Sequence, residues 1–146
     1  MVVPWFDPGV MNGWCIFDEQ GNELEMGQVS LDDLSLFLDN DPRFTSPTLV
    51  GYEGYTIFRK KAMAHTGSKV PTAQAIGIIK SYAQRKGVKL VEQPSSILKT
   101  AQMLTGVALP SDHSISHQFA AFNHGAYYFI EKGLRKTALE MKHGKT

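Results

Sequence analysis

The amino-acid sequence predicts an α/β fold in which one mixed five-stranded sheet has helices on its faces. The first observation is the order of the elements: three strand-like runs, a helix, a strand, a helix, a strand and further helices. The second is size, because 146 residues of which 42% are hydrophobic suit one domain with a core of ordinary size. We expect the first three strands to pair antiparallel, and the two strands reached through helices to lie parallel.

The first strand is predicted by the apolar run 2–6, which ends in Asp7. The hairpin after it is predicted by turn-forming residues, namely Pro8, Gly9, Asn12 and Gly13. A second strand over 14–18 and a turn at 20–22 lead into a third strand over 24–29. The carboxylate of Asp7 is thus expected near a sheet edge, where it either meets a ligand or hydrogen-bonds its own turn.

Ser30, with Asp33 three residues later, predicts the N-cap of a short amphipathic helix that ends near Asn40. The apolar run 48–52 predicts the fourth strand, which ends in a second carboxylate, Glu53. The remaining predicted elements are a helix opened by Pro71 and closed at Gly87, a strand over 89–91, a helix over 96–104 and a last helix from 110–112 to Gly133.

The chain is expected to form one domain, residues 1–134, followed by a basic tail, 135–146, that is partly disordered. No apolar run approaches the roughly 18–20 residues that span a bilayer, and the first residues do not resemble a signal peptide, so we expect a soluble cytoplasmic protein. Cys15, the one cysteine, lies in a strand-like run and is expected to be a buried thiol. The sequence lacks a P-loop, a dinucleotide glycine pattern and paired CxxC motifs, which argues against a nucleotide cofactor or a zinc site.

Charge is divided unevenly along the chain, although the formal net charge is only +1. Residues 1–53 hold ten acidic residues and one basic, whereas 54–146 hold four acidic and fourteen basic. This division favours a polyanionic partner such as nucleic acid; the alternative is that the two halves mix in the folded protein. The segment 54–69 is basic without an acid, and its aromatic residues, with Tyr52, are candidates for stacking on bases.

The last predicted helix has two faces that both avoid charge. One is an apolar stripe that consists of Phe119, Phe122, Ala126, Phe129 and Ile130. The other holds small or uncharged polar residues, namely His117, Ala120, Ala121, His124 and Tyr128. We infer that this second face is also covered, by the sheet edge or by a functional site. His117 is then either a metal ligand or a buried core histidine.

Asp7 and Glu53 are candidate ligands of divalent cations, because each ends a strand and the two strands are expected to be neighbours. Mg²⁺ and Mn²⁺ prefer such oxygen ligands, and a pair of these ions can hydrolyse a phosphodiester. The sequence therefore favours a site for one or two Mg²⁺ or Mn²⁺ ions.

Four segments stand out in this order: Phe6-Asp7-Pro8-Gly9 with Asn12-Gly13-Trp14, then Val50-Gly51-Tyr52-Glu53, then Gln93-Pro94-Ser95 with Lys99, then the histidine-rich last helix. Together they resemble the RuvC-type Holliday junction resolvases, particularly the short phage-encoded members, which have an RNase H-like fold. The resemblance covers roughly residues 1–132. It implies that Asp7 and Glu53 are the catalytic carboxylates of the first and fourth strands.

The last helix departs from the pattern of that family at one position. The family has a histidine or aspartate followed one turn later by an aspartate; His117 matches the first, and Ala120 stands where the aspartate is expected. Three explanations are open. Ala120 is an engineered replacement of aspartate, or the chain is a natural protein that binds junctions without cutting them, or the register differs and Asp112 or His113 supplies the ligand.

The resemblance implies a metal-dependent, structure-selective DNA endonuclease that resolves branched DNA such as Holliday junctions, inactivated here at position 120. It implies a homodimer, since two symmetric nicks suit a two-fold junction, and, for a phage protein, the cytoplasm of a bacterial host. The residues expected to bind DNA are Arg59, Lys60, Lys61, Lys69 and Lys99, with Tyr55. The alternatives are a non-catalytic branched-nucleic-acid-binding protein and an RNase H-like nuclease that cuts RNA.

Overall fold

A computed structural model of the chain describes residues 1–54 and 66–143, without the side chains of 66–69. Its elements are β1 (Val3–Asp7), β2 (Met11–Phe17), β3 (Glu23–Ser30), α1 (Leu31–Asn40), a 3₁₀ turn (Pro42–Phe44), β4 (Leu49–Gly54), α2 (Thr66–Lys86), β5 (Lys89–Pro94), α3 (Ile97–Thr105), α4 (His113–Glu131) and α5 (Ala138–His143). The strands form one sheet in the order β3-β2-β1-β4-β5. The first three pair antiparallel, β4 lies parallel to β1, and β5 lies parallel to β4. The predicted mixed five-stranded sheet is confirmed.

Helices cover both faces of the sheet. On one face α1 and α2 contribute buried residues such as Leu34 and Tyr82 to a cluster that also contains Phe6 of β1. On the other face α4 packs against β1 and β2 through Phe122 and Phe129. The uncharged second face of α4 is largely covered too, as the sequence pattern indicated, since Ala120, Ala121 and His124 are buried.

Alternation along the strands decides which residues face α4. Successive side chains of a strand point to opposite faces, so Trp5, which packs in the α4 cluster, shares its face with Asp7 two residues later. Val50 and Tyr52 pack in the opposite cluster, which places Glu53 on the α4 face as well. The same alternation places Gln93, two residues after Val91, on that face.

The hairpin between β1 and β2 is tighter than the turn-forming residues predict. Asn12 and Gly13 belong to β2, and Gly13 pairs with Asp7 across the two strands. Asn12 is fully buried; its Oδ1 accepts a hydrogen bond from Gly9 N at 3.0 Å, and its Nδ2 donates to the carbonyl oxygen of Val29 at 3.2 Å. Asn12 thus closes the turn with its side chain while its backbone continues the strand.

Two further elements start or end outside their predicted bounds. Helix α2 begins at Thr66, so Pro71 lies inside it. The prediction that Pro71 opens the helix is wrong, because a proline near a helix start costs one backbone hydrogen bond without ending the helix. Strand β5 continues through Pro94, because parallel pairing with β4 extends from Lys89 to the end of the strand.

The remaining predictions concern Cys15, the basic tail, membrane-spanning helices and the residues expected to bind DNA. Cys15 is fully buried, and burial raises the pKa of its thiol. The basic tail includes the helix α5, and Arg135 at its start donates to the carbonyl oxygen of Gly21 at 2.9 Å. Within the described ranges, no helix is both long and apolar enough to cross a membrane. The predicted DNA-binding residues Tyr55, Arg59, Lys60 and Lys61, and the side chain of Lys69, lie outside the described residues.

Candidate active site

Two carboxylates meet where the parallel strands β1 and β4 end. Phe6 and Tyr52 are paired in register, so the next residues, Asp7 and Glu53, lie side by side on the α4 face. They are close enough for each carboxyl group to shift the pKa of the other. The structure therefore brings together the two residues that the sequence singled out, and their catalytic role stays a prediction.

The first half of α4 is held over this pair by β2 and β3. Oε1 of Gln28 accepts hydrogen bonds from the backbone N–H groups of His117, at 3.1 Å, and Gln118, at 3.3 Å. Nε2 of Gln28 donates to the carbonyl oxygen of Ser114 at 2.5 Å. Below this contact lies Gly13, where a Cβ atom would stand only 1.9 Å from the carbonyl oxygen of His117. A glycine is therefore required at position 13 for the helix to approach the sheet closely.

Replacing Gly13 with alanine is expected to lower the stability of the folded protein and to displace His117. The new methyl group collides with the backbone of α4, which cannot turn away as a side chain would. Overpacking of this kind typically costs about 1–3 kcal/mol. Thermal unfolding of Gly13→Ala measures this loss of stability.

Gly77→Ala is the matched control. A Cβ at Gly77 meets nothing within 4 Å, so alanine there is expected to stabilise helix α2 by up to about 1 kcal/mol. An equal stability of both variants would contradict the close approach.

His117 binds the first carboxylate. Its Nδ1 lies 3.0 Å from Oδ2 of Asp7. The imidazole remains 41% exposed, whereas the side chain of Asp7 is only 14% exposed. His117 is thus in contact with the candidate metal site and accessible from outside it.

A second histidine of α4 binds the other carboxylate, and sequence reasoning gave it no role. His124 is fully buried. Its Nε2 lies 2.8 Å from Oε1 of Glu53, and its Nδ1 lies 2.8 Å from Oε1 of Gln93. The missed signals were the spacing of His124, seven residues or two turns after His117, and the strand alternation that aims Gln93 at the same face.

Ala120 lies between the two histidines on the same face of α4, three residues after His117 and four before His124. It is 3% exposed. A carboxylate side chain at this position would extend toward Asp7 and Glu53, which are bound by the histidines on either side of it. Asp112, in contrast, is the N-cap of α4 and accepts a hydrogen bond from Ser114 N at 3.0 Å.

The pKa values of Asp7 and Glu53 are shifted in opposite directions. Burial, with the neighbouring Glu53 carboxylate, raises the pKa of Asp7 to about 6, although the hydrogen bond from His117 acts against the rise. Burial also acts to raise the pKa of Glu53, but the contacts with His124, together with Asp7 and His117, outweigh it and lower that pKa. The hydrogen bond with Asp7 raises the pKa of His117. A proton shared by the pair therefore resides on Asp7.

These shifts predict that the metal-free protein is more stable at pH 5 than at pH 7.5. Asp7 and His117 both bind protons more tightly in the folded state, so stability is lost as pH rises through their folded pKa values. For Asp7 the rise from 3.8 to about 6 corresponds to roughly 3 kcal/mol, gained as the pH falls through 6 toward 4. The lowered pKa of Glu53 has the opposite effect, but only below its ordinary value of 4.5.

Thermal unfolding in EDTA across this pH range tests the prediction. Asp7→Asn should remove most of the dependence, since both shifts originate in this carboxyl group and its contacts. A wild-type melting temperature that rises from pH 5 to 7.5 would contradict the assignment.

The side chains at this site provide some, but not all, of the ligands that a divalent metal ion needs. Two adjacent carboxylates are unfavourable when both are ionised, and a hard cation such as Mg²⁺ or Mn²⁺ would relieve their repulsion. Within residues 1–54 and 66–143, however, no group of three His, Cys, Asp or Glu side chains is placed to hold a metal ion. Instead, His117 is paired with Asp7 and His124 with Glu53.

Two residues predicted to contact nucleic acid, Tyr52 and Lys99, differ in their exposure. Tyr52 is 2% exposed and its hydroxyl donates to Oε1 of Glu92 at 2.9 Å, so it packs in the core and is not available for stacking on bases. Burial, followed by this hydrogen bond, raises its pKa to about 12. Lys99 is exposed on the first turn of α3. That helix begins three residues after β5, whose end is paired with Glu53.

Comparison with known proteins identifies the fold. No protein-family model and no curated protein sequence matches the chain. Solved structures do match: T. thermophilus RuvC in complex with a Holliday junction substrate has 17% sequence identity and a TM-score of 0.60. Another Thermus thermophilus RuvC structure has 19% identity and a TM-score of 0.56. Each match covers 94% of this chain and 99% of the RuvC chain. The chain therefore has the RNase H-like fold of the RuvC Holliday junction resolvases.

Proposed function

We propose that this protein is a divalent-metal-dependent endonuclease for branched DNA such as Holliday junctions, with cutting weakened or abolished by Ala120. The observation that carries the proposal is the adjacent pair Asp7 and Glu53, which lies at the ends of two parallel strands under a helix bearing His117. The similarity in fold to a RuvC bound to a junction supports the choice of substrate.

Asp7 and Glu53 would hold the metal, Mg²⁺ or Mn²⁺ and most simply two ions, and His117 would orient Asp7 or add a nitrogen ligand. Bound metal supplies positive charge at the scissile phosphate and lowers the pKa of attacking water. The protein contributes the orientation of both carboxylates, which are fixed by His117 and His124. Burial of the pair strengthens its interaction with a cation.

DNA would approach from the exposed side of His117. Lys99, which is exposed on the first turn of α3, would bind phosphate there. We assign the same role, from the sequence, to the basic residues of the segment 54–69, namely Arg59, Lys60, Lys61 and Lys69, and base stacking to Tyr55. We also propose a phage origin and a homodimer, which would place two such sites across a two-fold junction.

A second candidate is a protein that binds branched DNA without cutting it. Ala120 favours this function, because the described residues offer two carboxylates and no third where one is expected. Both candidates require selective binding of branched DNA.

The binding test compares a fluorescent four-way junction with a linear duplex and an RNA–DNA hybrid of the same sequence, all in EDTA. We expect the junction to bind at least about tenfold more tightly than either. Lys99→Ala should weaken binding to every substrate and reduce the slope of affinity against salt concentration by about 1. Equal affinity for junction and duplex would contradict both candidates, and a preference for the hybrid would favour the RNA-cutting alternative.

A further inference from the structure

The buried group Gln93–His124–Glu53 connects three elements beneath the candidate metal site. Gln93 and Glu53 are each the second-last residue of their strands, β5 and β4, and the two are paired in register. His124 of α4 is placed between them, with each ring nitrogen 2.8 Å from an oxygen of one of the two. Both ring nitrogens of His124 are thus hydrogen-bonded within this group.

Glu53 is fixed from two sides by these contacts. His124 binds its Oε1, while the carboxyl group also faces Asp7. Because an ionised carboxylate only accepts hydrogen bonds, Nε2 of His124 is the donor in this contact. The imidazole therefore restricts the rotation of the carboxylate that the proposed function assigns to the metal.

We propose that His124 is a positioning residue, which holds Glu53 in the orientation that binds metal, and that Gln93 fixes the imidazole ring by binding its other nitrogen. This inference rests on the proposed function, since it concerns the metal ligand Glu53. Groups that orient metal ligands through hydrogen bonds typically contribute 10–100-fold to metal affinity, on the order of the effect expected here.

A purely structural role for His124 is the alternative, and its neighbour Asn123 provides the matched control. Asn123 is also fully buried on α4. Its hydrogen bonds run elsewhere: Oδ1 accepts from Thr105 Oγ1 at 2.6 Å, and Nδ2 donates to the carbonyl oxygens of Val107 and Phe119. Replacing Asn123 should therefore lower stability without altering the carboxylates.

The experiment measures Mn²⁺ affinity by calorimetry, with the melting temperature in EDTA as a separate readout of stability. It uses three variants, His124→Asn, His124→Gln and Asn123→Ala, each made in the Ala120 protein and in Ala120→Asp. The amide nitrogen of glutamine reaches the position of Nε2, whereas that of asparagine reaches only the position of Nδ1. Only the glutamine variant can donate to Glu53.

We expect His124→Asn to weaken Mn²⁺ binding by about 10–100-fold, His124→Gln to retain most of the affinity, and Asn123→Ala to lower only the melting temperature. Equal affinity in His124→Asn and its parent would overturn the positioning role and leave the proposed function intact. Equal losses in the asparagine and glutamine variants would also overturn it. Absence of Mn²⁺ binding in both parent proteins would overturn the proposed function, and the inference with it.

Discussion

Ala120→Asp is expected to turn the protein into an efficient Mg²⁺-dependent nuclease on a synthetic four-way junction. The new carboxylate would lie on the buried face of α4 between His117 and His124, above the pair formed by Asp7 and Glu53. A third carboxylate would complete the ligand set of the proposed metal site and hold the metal in place. Since a small misplacement of reacting groups lowers the reaction rate by about 10²-fold, we expect the nicking rate to rise by at least that factor.

Ala120→Asn is the matched control, because it has the shape of aspartate without its charge. It should bind junctions as the Ala120 protein does and show no gain in cutting. Cutting restored equally by asparagine would show that packing, and not a metal ligand, limits the Ala120 protein. If Ala120→Asp binds junctions tightly but does not cut in Mg²⁺ or Mn²⁺, the non-catalytic binding function becomes the better account.

Removing either strand carboxylate is expected to have the second large effect. In the Ala120→Asp protein, Asp7→Asn and Glu53→Gln should each reduce Mg²⁺-dependent nicking by on the order of 10³-fold, since metal stabilisation of developing charge is worth several kcal/mol. Both changes preserve side-chain shape, and glutamine at 53 still offers an oxygen to His124. Junction binding in EDTA should therefore stay within about twofold of the parent, a change of under 0.5 kcal/mol.

The same variants should lose stabilisation by metal. A ligand that binds only the folded state stabilises it by RT ln(1 + L/Kd), where L is the free ligand concentration, so the melting temperature rises with that concentration. We expect Mg²⁺ to raise the melting temperature of Ala120→Asp and to leave the two carboxylate variants unchanged. Nicking that survives both substitutions would contradict the assignment of Asp7 and Glu53.

Local patterns in the sequence predicted the sheet because they correspond directly to its geometry. The apolar run before Asp7, the run before Glu53 and the helix between them predicted two parallel neighbouring strands, and the register between β1 and β4 confirms it. The uncharged second face of α4 predicted its burial. These signals are strong because a residue on the wrong face of a strand or helix would lose its burial.

Details that depend on packing across the sheet were missed. Asn12 and Gly13 have the composition of a turn, but the first closes the turn with its side chain and the second admits α4. Gln93 was placed beyond its strand, because pairing with β4 extends β5 further than its apolar run. His124 was seen on the covered face, but its partner depends on which strands lie beneath the helix, which sequence spacing alone does not specify.

Anomalous diffraction from crystals of Ala120→Asp soaked in Mn²⁺ tests the central claim most directly. The account predicts an anomalous peak between the carboxylates of Asp7 and Glu53, and its loss in Asp7→Asn crystals treated in the same way. A map with no peak at this pair, or with manganese bound only elsewhere on the protein, would contradict the claim that these two carboxylates form a metal site.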